Sequence, residues 1–217
     1  MINKKAIIFG VSGQDGSYLA QLLLGKGYEV WGTSRDVNKS RLINLKKLGI
    51  DKKINLVSVL NDDFQKLSSL INELLPDEIY YLAGQSSVGL SFAEPKETIS
   101  SNVLGILNVL EVCRLISKKI RIYYAGSSEC FGDTAGIAAT EETNFHPQSP
   151  YAVSKTSAFW LVDNYRNAYD MFICYGILFN HESPFRSQRF VTQKIISTAL
   201  RISEGSQEKL ELGRLDI

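Results

Sequence analysis

Short apolar runs alternate with longer stretches in which apolar residues recur every three or four positions, and this alternation extends from residue 6 to residue 178. The short runs, at 6–9, 30–33, 54–59, 78–82, 121–124 and 172–178, read as strands. Between them, residues 17–24, 64–75, 98–115 and 152–169 place apolar side chains at helical spacing. Strands that are apolar throughout, joined by amphipathic helices, belong to a parallel sheet covered on both faces. The expectation is an α/β fold, a doubly wound parallel sheet of the Rossmann type. In such sheets ligands bind beyond the carboxyl ends of the strands, so the chemistry belongs in those loops.

Residues 132–150 break the pattern with Thr, Pro, Gly and acidic side chains, and read as a long surface loop. After Phe179 the alternation stops. One amphipathic helix follows, marked by Val191, Ile195, Ile196, Ala199 and Leu200, and then a possible short strand at 209–212. The expected division is a dinucleotide-binding domain with the catalytic residues over 1–179 and the start of a substrate-binding region over 180–217. The ending is abrupt, which points to a C-terminal substrate domain that is largely missing.

Composition narrows the classes. Hydrophobic residues make up 44% and charged residues 22% of the 217, enough apolar side chains to fill a core. A formal net charge of +1 gives no general attraction to nucleic acid or to an anionic membrane. No apolar stretch is long enough to span a bilayer, and Met1 to Lys5 leads into glycines rather than a signal peptide. Cys113, Cys130 and Cys174 are odd in number, far apart and without metal-ligand spacing, as expected of reduced thiols in a cytoplasm. No metal is expected.

The first strand runs into Gly10-Val11-Ser12-Gly13-Gln14-Asp15-Gly16 and then the first helix. Glycines at this junction allow the tight turn, the approach of backbone to a pyrophosphate and close helix–sheet packing. The phosphates then meet the positive end of a helix. At the end of the second strand, where such folds read the adenine ribose, stands Ser34-Arg35-Asp36. Arg35 comes first and would pair with a 2′-phosphate, so NADP is favoured, with NAD possible.

Tyr151 and Lys155 stand four apart at the start of a helix and share a face. A lysine ammonium beside a phenol favours phenolate, which can take a proton from a sugar hydroxyl. Upstream, Ser127-Ser128-Glu129 follows the fifth strand. Ser127 could donate a hydrogen bond to the oxygen being oxidised. Glu129 adds a carboxylate that simple alcohol oxidation does not require.

These residues resemble the extended short-chain dehydrogenases, and most closely the GDP-mannose 4,6-dehydratases. The resemblance is carried by GVSGQDGSYLA at 10–20, Ser127 to Glu129 with Tyr151 and Lys155, and GILFNHESP at 176–184, and continues through Phe190-Val191-Thr192 and Lys194. It implies a catalytic set of Ser127, Glu129, Tyr151 and Lys155. It implies cofactor contacts at Gly10, Ser12, Gly13, Gln14, Asp15, Gly16, Arg35, Leu82, Ala83, Gly84, Ser86, Tyr151, Lys155, His181 and Arg186. Ser87, Ser128 and Asn180 would meet the sugar nucleotide.

The implied reaction is an internal redox cycle on GDP-mannose or a related nucleotide sugar. Tyr151 takes the C4 hydroxyl proton as hydride passes from C4 to NADP. The ketone acidifies C5, Glu129 removes that proton, water leaves from C6, and the hydride returns to C6. The product is GDP-4-keto-6-deoxymannose. The long helices at 98–115 and 152–169 resemble those that form the dimer interface in this family, so a homodimer or homotetramer is expected of the full-length protein. Two local departures stand out. Residues 36–49 form a shorter stretch than the basic loop of better-known dehydratases, and Val59-Leu60 replaces a Gly-Asp pair beside the adenine. Two alternatives stay open: a nucleotide-sugar 4-ketoreductase or epimerase of the same family, and a cofactor-binding fragment with little activity.

Overall fold

The structure is a computed structural model and describes residues 4–37 and 42–212. Residues 1–3, residues 38–41 within the short stretch 36–49, and residues 213–217 lie outside the described residues. Two compact units divide the chain, Met1–Phe179 and Asn180–Ile217.

The first unit is built on β1 (Lys5–Phe9), whose Ala6, Ile7, Ile8 and Phe9 are all fully buried. Successive strand side chains point to opposite faces. Accordingly Ile7 and Phe9 enter one core with Ile79, Tyr81, Val109 and Tyr124, while Ala6 and Ile8 enter the other with Ala20, Leu23 and Val30. Each large side chain so buried contributes about 1.5–3 kcal/mol relative to exposure. That is why the strand is apolar without alternation.

On one side β1 pairs in parallel with β2 (Glu29–Ser34), which pairs with β3 (Asn55–Ser58). On the other it pairs with β4 (Glu78–Tyr81), followed by β5 (Arg121–Ala125) and β6 (Ile173–Gly176). The order β3-β2-β1-β4-β5-β6 is the doubly wound order, with its direction of winding reversed between β1 and β4. The expected parallel Rossmann-type sheet is therefore present, with all six strands where the apolar runs put them.

The helices follow from their ends as much as from their periodicity. α1 (Gln14–Gly25) turns Ala20 and Leu23 inward. A short helix not expected from the pattern, α2 (Ile43–Lys47), buries Leu45. α3 (Phe64–Leu74) is capped by Asp63, whose side chain accepts from the Lys66 N–H at 3.0 Å, and buries Leu67, Leu70 and Ile71. A second short helix absent from the pattern is α4 (Val88–Ala93).

The stretch 98–115 is a correction to the single expected helix. It consists of α5 (Pro95–Ile99), a π-helical segment Ser100–Leu104, and α6 (Gly105–Arg114). The wider π turn leaves carbonyls off the usual ladder, and two strand tyrosines meet them. The Tyr81 hydroxyl donates to the Ser101 carbonyl at 3.0 Å, and the Tyr124 hydroxyl to the Asn102 carbonyl at 3.0 Å.

α7 (Pro150–Tyr169) begins where the long loop ends. Ser149 accepts from the Ala152 N–H at 3.0 Å, and Pro150 takes the first helical position, where its missing N–H costs nothing.

The second unit holds α8 (Val191–Ser203), with Val191, Ile196 and Leu200 exposed. No strand forms at 209–212. A strand needs a neighbour to complete its ladder, and the described part of this unit provides none. Instead Glu208 folds back onto Arg201, Nε to Oε1 at 2.7 Å.

Candidate functional site

The carboxyl ends of β1 and β4 meet at the reversal of winding. Gly10 adopts φ +81°, and a Cβ there would lie 2.9 Å from the Leu82 carbonyl oxygen. The Gly13 N–H closes the turn onto the Gly10 carbonyl at 3.0 Å. Gly16 lies against the same carbonyl, so closely that a Cβ would collide with it. The first turn of α1 is thus pulled onto the strand end. Gly13 is its N-cap and brings no side chain across it. Backbone free of side chains at a helix start is the kind of cradle that can hold a pyrophosphate. Ser12, Gln14 and Asp15 line the same turn, and the Ser12 carbonyl accepts from Asn44 Nδ2 at 3.1 Å.

Arg35 follows β2 directly, is largely exposed, and its guanidinium lies 3.9 Å from Glu97 Oε1. Beyond β3, Val59 is buried and Leu60 half-exposed, and Asp63 is occupied in capping α3.

Leu82, Ala83, Gly84 and Ser86 form the turn after β4, anchored by the Leu82 N–H on the Phe9 carbonyl at 3.0 Å. Gln85, which sequence reasoning passed over, fixes the turn's far end. Its side-chain amide donates to the Ser87 carbonyl at 2.8 Å and to Thr98 Oγ1 at 3.2 Å, and its carbonyl oxygen accepts from the Ser87 N–H. Ser87 Oγ caps α4, accepting from the Leu90 N–H at 3.3 Å.

The remaining group gathers where β5 ends. Gly126 and Ser127 leave the strand, and Ser128–Cys130 make one 3₁₀ turn that packs against α7. Gly126 is pinned by its N–H to the Gly176 carbonyl at 2.8 Å, and Ser128 by its N–H to the Leu178 carbonyl at 2.8 Å. Ser127 is buried, and its Oγ accepts from the Glu129 N–H at 3.3 Å. Glu129 is half-buried.

From the first turns of α7, Tyr151 and Lys155 reach the same place, both buried, with Lys155 Nζ 5.7 Å from the centre of the Tyr151 ring. Lys155 Nζ donates to the Ala125 carbonyl at 2.9 Å and lies 3.3 Å from the Tyr124 hydroxyl. Burial pulls its pKa down from 10.5 to about 7. A strand-end serine, a carboxylate two residues on, and a helical Tyr–Lys pair therefore share one corner of the sheet.

A family model described as GDP-mannose 4,6 dehydratase matches residues 7–217. The chain belongs to the GDP-mannose 4,6-dehydratase family.

It is 41% identical to the GDP-mannose 4,6-dehydratase of Vibrio cholerae over 222 residues, covering 99% of this chain and 60% of that one. It is 46% identical to GDP-mannose 4,6 dehydratase 2 of Arabidopsis thaliana over 222 residues, covering 98% and 59%. The chain thus spans about three fifths of the length of these dehydratases. Among solved structures, a UDP-glucuronic acid 4-epimerase from Bacillus cereus, in complex with UDP-glucuronic acid and NAD, superposes with a TM-score of 0.82. It is 24% identical and covers 91% of this chain and 63% of that one, a likeness of fold.

Of the positions suggested by likeness to these dehydratases, the first unit brings together the glycine turn, the turn after β4, and the Ser127, Glu129, Tyr151 and Lys155 group on the carboxyl side of one sheet. Asn180, His181 and Arg186 belong to the second unit. There the Arg186 guanidinium stacks 3.7 Å from the centre of the Phe190 ring and faces Glu182 at 3.5 Å. Tyr124 and Asn102 also bear on the corner that holds Ser127, Tyr151 and Lys155, and were missed. The only sequence signal for Tyr124 is a tyrosine at a buried strand position next to the site.

Proposed function

We propose that the protein, at full length, is an NADP-dependent GDP-mannose 4,6-dehydratase, a hydro-lyase that acts in the cytoplasm, in the making of deoxyhexose nucleotides. Supporting this reading are the family and one observation above others: Glu129 sits on the turn that carries Ser127, and that turn packs against the helix bearing Tyr151 and Lys155. Oxidation of an alcohol needs a serine, a tyrosine and a lysine. Elimination of water across the neighbouring C5–C6 bond needs a further acid–base, and a carboxylate provides it.

The cradle fits a dinucleotide. Gly10, Ser12, Gly13, Gln14, Asp15 and Gly16 would hold the pyrophosphate, Arg35 the 2′-phosphate, and Leu82, Ala83, Gly84 and Ser86 the segment beyond. A bound nicotinamide supplies the acceptor and later the donor of two electrons. Tyr151 takes the proton of the C4 hydroxyl, with Ser127 donating a hydrogen bond to the same oxygen. Lys155 supplies the positive charge that favours phenolate. Glu129 takes the C5 proton, made acidic by the C4 ketone, and gives it to the departing C6 hydroxyl, so that water leaves; the proton that Tyr151 took from the C4 hydroxyl balances the one C5 regains when hydride returns to C6. Ser87, Ser128 and Asn180 would contact the sugar nucleotide, and His181 and Arg186 the cofactor.

A homodimer is part of this reading. On α7, Val153 and Trp160 stand seven residues apart on one face and are 43% and 59% exposed. A second copy would cover them.

The chain's length relative to its relatives supports a second reading for the 217 residues by themselves: a fragment that binds NADP while turning over GDP-mannose slowly. Both readings are tested by incubating this chain and a full-length version with GDP-mannose and NADP and assaying the 4-keto-6-deoxy product. Product from the full-length protein alone supports both. Net consumption of NADPH with a 4-keto substrate, and no dehydration, would replace the dehydratase with a reductase.

A further inference from the structure

Lys155 is a buried base, and both acceptors around its Nζ are neutral: the Ala125 carbonyl at 2.9 Å and the Tyr124 hydroxyl at 3.3 Å. The Tyr124 proton is committed elsewhere, to the Asn102 carbonyl at 3.0 Å. A phenol has one proton, so towards Lys155 this hydroxyl presents only lone pairs. Burial also raises the Tyr124 pKa well above 10, which keeps the phenol neutral.

The ring cannot swing away. It stacks between Tyr81, 5.7 Å between centres at 14°, and Tyr175, 5.5 Å at 23°. Lys155 Nζ lies 4.7 Å from the centre of the Tyr124 ring. The other titratable groups facing this lysine are Tyr151 on its own helix and Cys130 on the 3₁₀ turn. Tyr175 on β6 addresses the Lys155 backbone, donating to its carbonyl at 3.0 Å, and lies 3.3 Å from Cys130 Sγ.

We propose that Tyr124 is a positioning residue for Lys155: its hydroxyl, fixed as an acceptor by the Asn102 carbonyl, holds the lysine beside Tyr151 and favours its charged form. The proposal rests on the dehydratase reading only for what the charge is used for. An acceptor aimed at an ammonium stabilises the charged state more than the neutral one and so opposes the desolvation of Lys155. The π turn at Ser100–Leu104 acquires a purpose, because it offers the Asn102 carbonyl that orients the phenol.

The experiment follows the Lys155 Cε signal by NMR against pH in the 217-residue chain carrying ¹³C-labelled lysine, with Lys155→Arg to assign the signal. Tyr124→Phe removes the acceptor and keeps the ring. Its Lys155 midpoint is expected to fall by about one pH unit, a tenfold fall in the ratio of ammonium to amine at any given pH. Tyr81→Phe removes an equally buried phenol bonded to the Ser101 carbonyl and should leave the midpoint in place.

If Tyr124→Phe does not fold, 3,5-difluorotyrosine at position 124 keeps the shape, weakens the acceptor, and must move the midpoint the same way. A midpoint unchanged in Tyr124→Phe, or in the fluorinated protein, overturns the proposal, as does an equal fall in Tyr81→Phe. Because the titration needs neither substrate nor turnover, failure of the dehydratase reading leaves this result standing or falling by itself.

Discussion

Replacing Lys155 by methionine removes a buried charge while keeping much of the stem, and the consequence is a change in how stability depends on pH. The lysine is 6% exposed and burial lowers its pKa from 10.5 to about 7. Between those two values the unfolded chain binds the proton and the folded chain does not, so stability rises with pH. Below pH 7 both states are protonated, and the cost of burying the ammonium is felt in full. Above 10.5 both are neutral and the cost is gone. Integrated from about pH 6 to about pH 9, this one group should raise the stability of the parent by about 2 to 3 kcal/mol. Lys155→Met loses that contribution entirely.

The assay is urea unfolding of both proteins at about pH 6, 7.5 and 9, at constant ionic strength. The substitution would also leave the Ala125 carbonyl and the Tyr124 hydroxyl without the donor they now share, but that cost does not vary with pH and cancels in the slope. Other titrating groups are common to both proteins and cancel as well. The expected result is that the stability of Lys155→Met relative to the parent is greatest at about pH 6 and declines by about 2 to 3 kcal/mol towards pH 9. Parallel curves would refute the reasoning, since they would mean that Lys155 keeps its charge when folded.

Gly16→Ala places a methyl group against the Gly10 carbonyl and should cost about 1–3 kcal/mol, read as a lowered melting temperature, and should abolish dinucleotide binding followed by fluorescence. Arg35→Ala should weaken NADP about tenfold or more and leave NAD little changed, measured as two dissociation constants by calorimetry. Trp160→Glu puts a charge on the exposed face of α7 and should shift a dimer to monomer in sedimentation velocity, with the fold retained by circular dichroism.

Sheet and site were legible to different depths. A strand such as β1 announces itself because both of its faces are buried, so every position must be apolar. The glycine turn is equally local: Gly10 and Gly16 are glycines because the Leu82 and Gly10 carbonyls occupy the space of a side chain. The π turn is different. Its carbonyls are met by Tyr81 and Tyr124, twenty and more residues away, and no window of 98–115 contains them. Apolar spacing there is satisfied by one helix or by three segments alike. Ser87 shows the same limit at the level of a single hydroxyl, because a cap and a ligand contact call for the same residue type.

The chemistry of Lys155 divides along this line. Its spacing from Tyr151 is a sequence property and puts the two side chains on one face of α7. Its charge at a given pH is a property of what closes over it, and those groups come from β5, the turn after it, and the helix itself. Tyr124 joins both halves, as a core residue stacked between Tyr81 and Tyr175 whose hydroxyl ends at the lysine. A substitution that removes a ring from this stack therefore reaches Lys155 through the phenol it displaces, whereas Tyr81→Phe keeps its ring and leaves Tyr124 in place. Substitutions of equal size on the other face of the sheet, among Ala6, Ile8 and Leu23, should cost stability without touching the titration of Lys155.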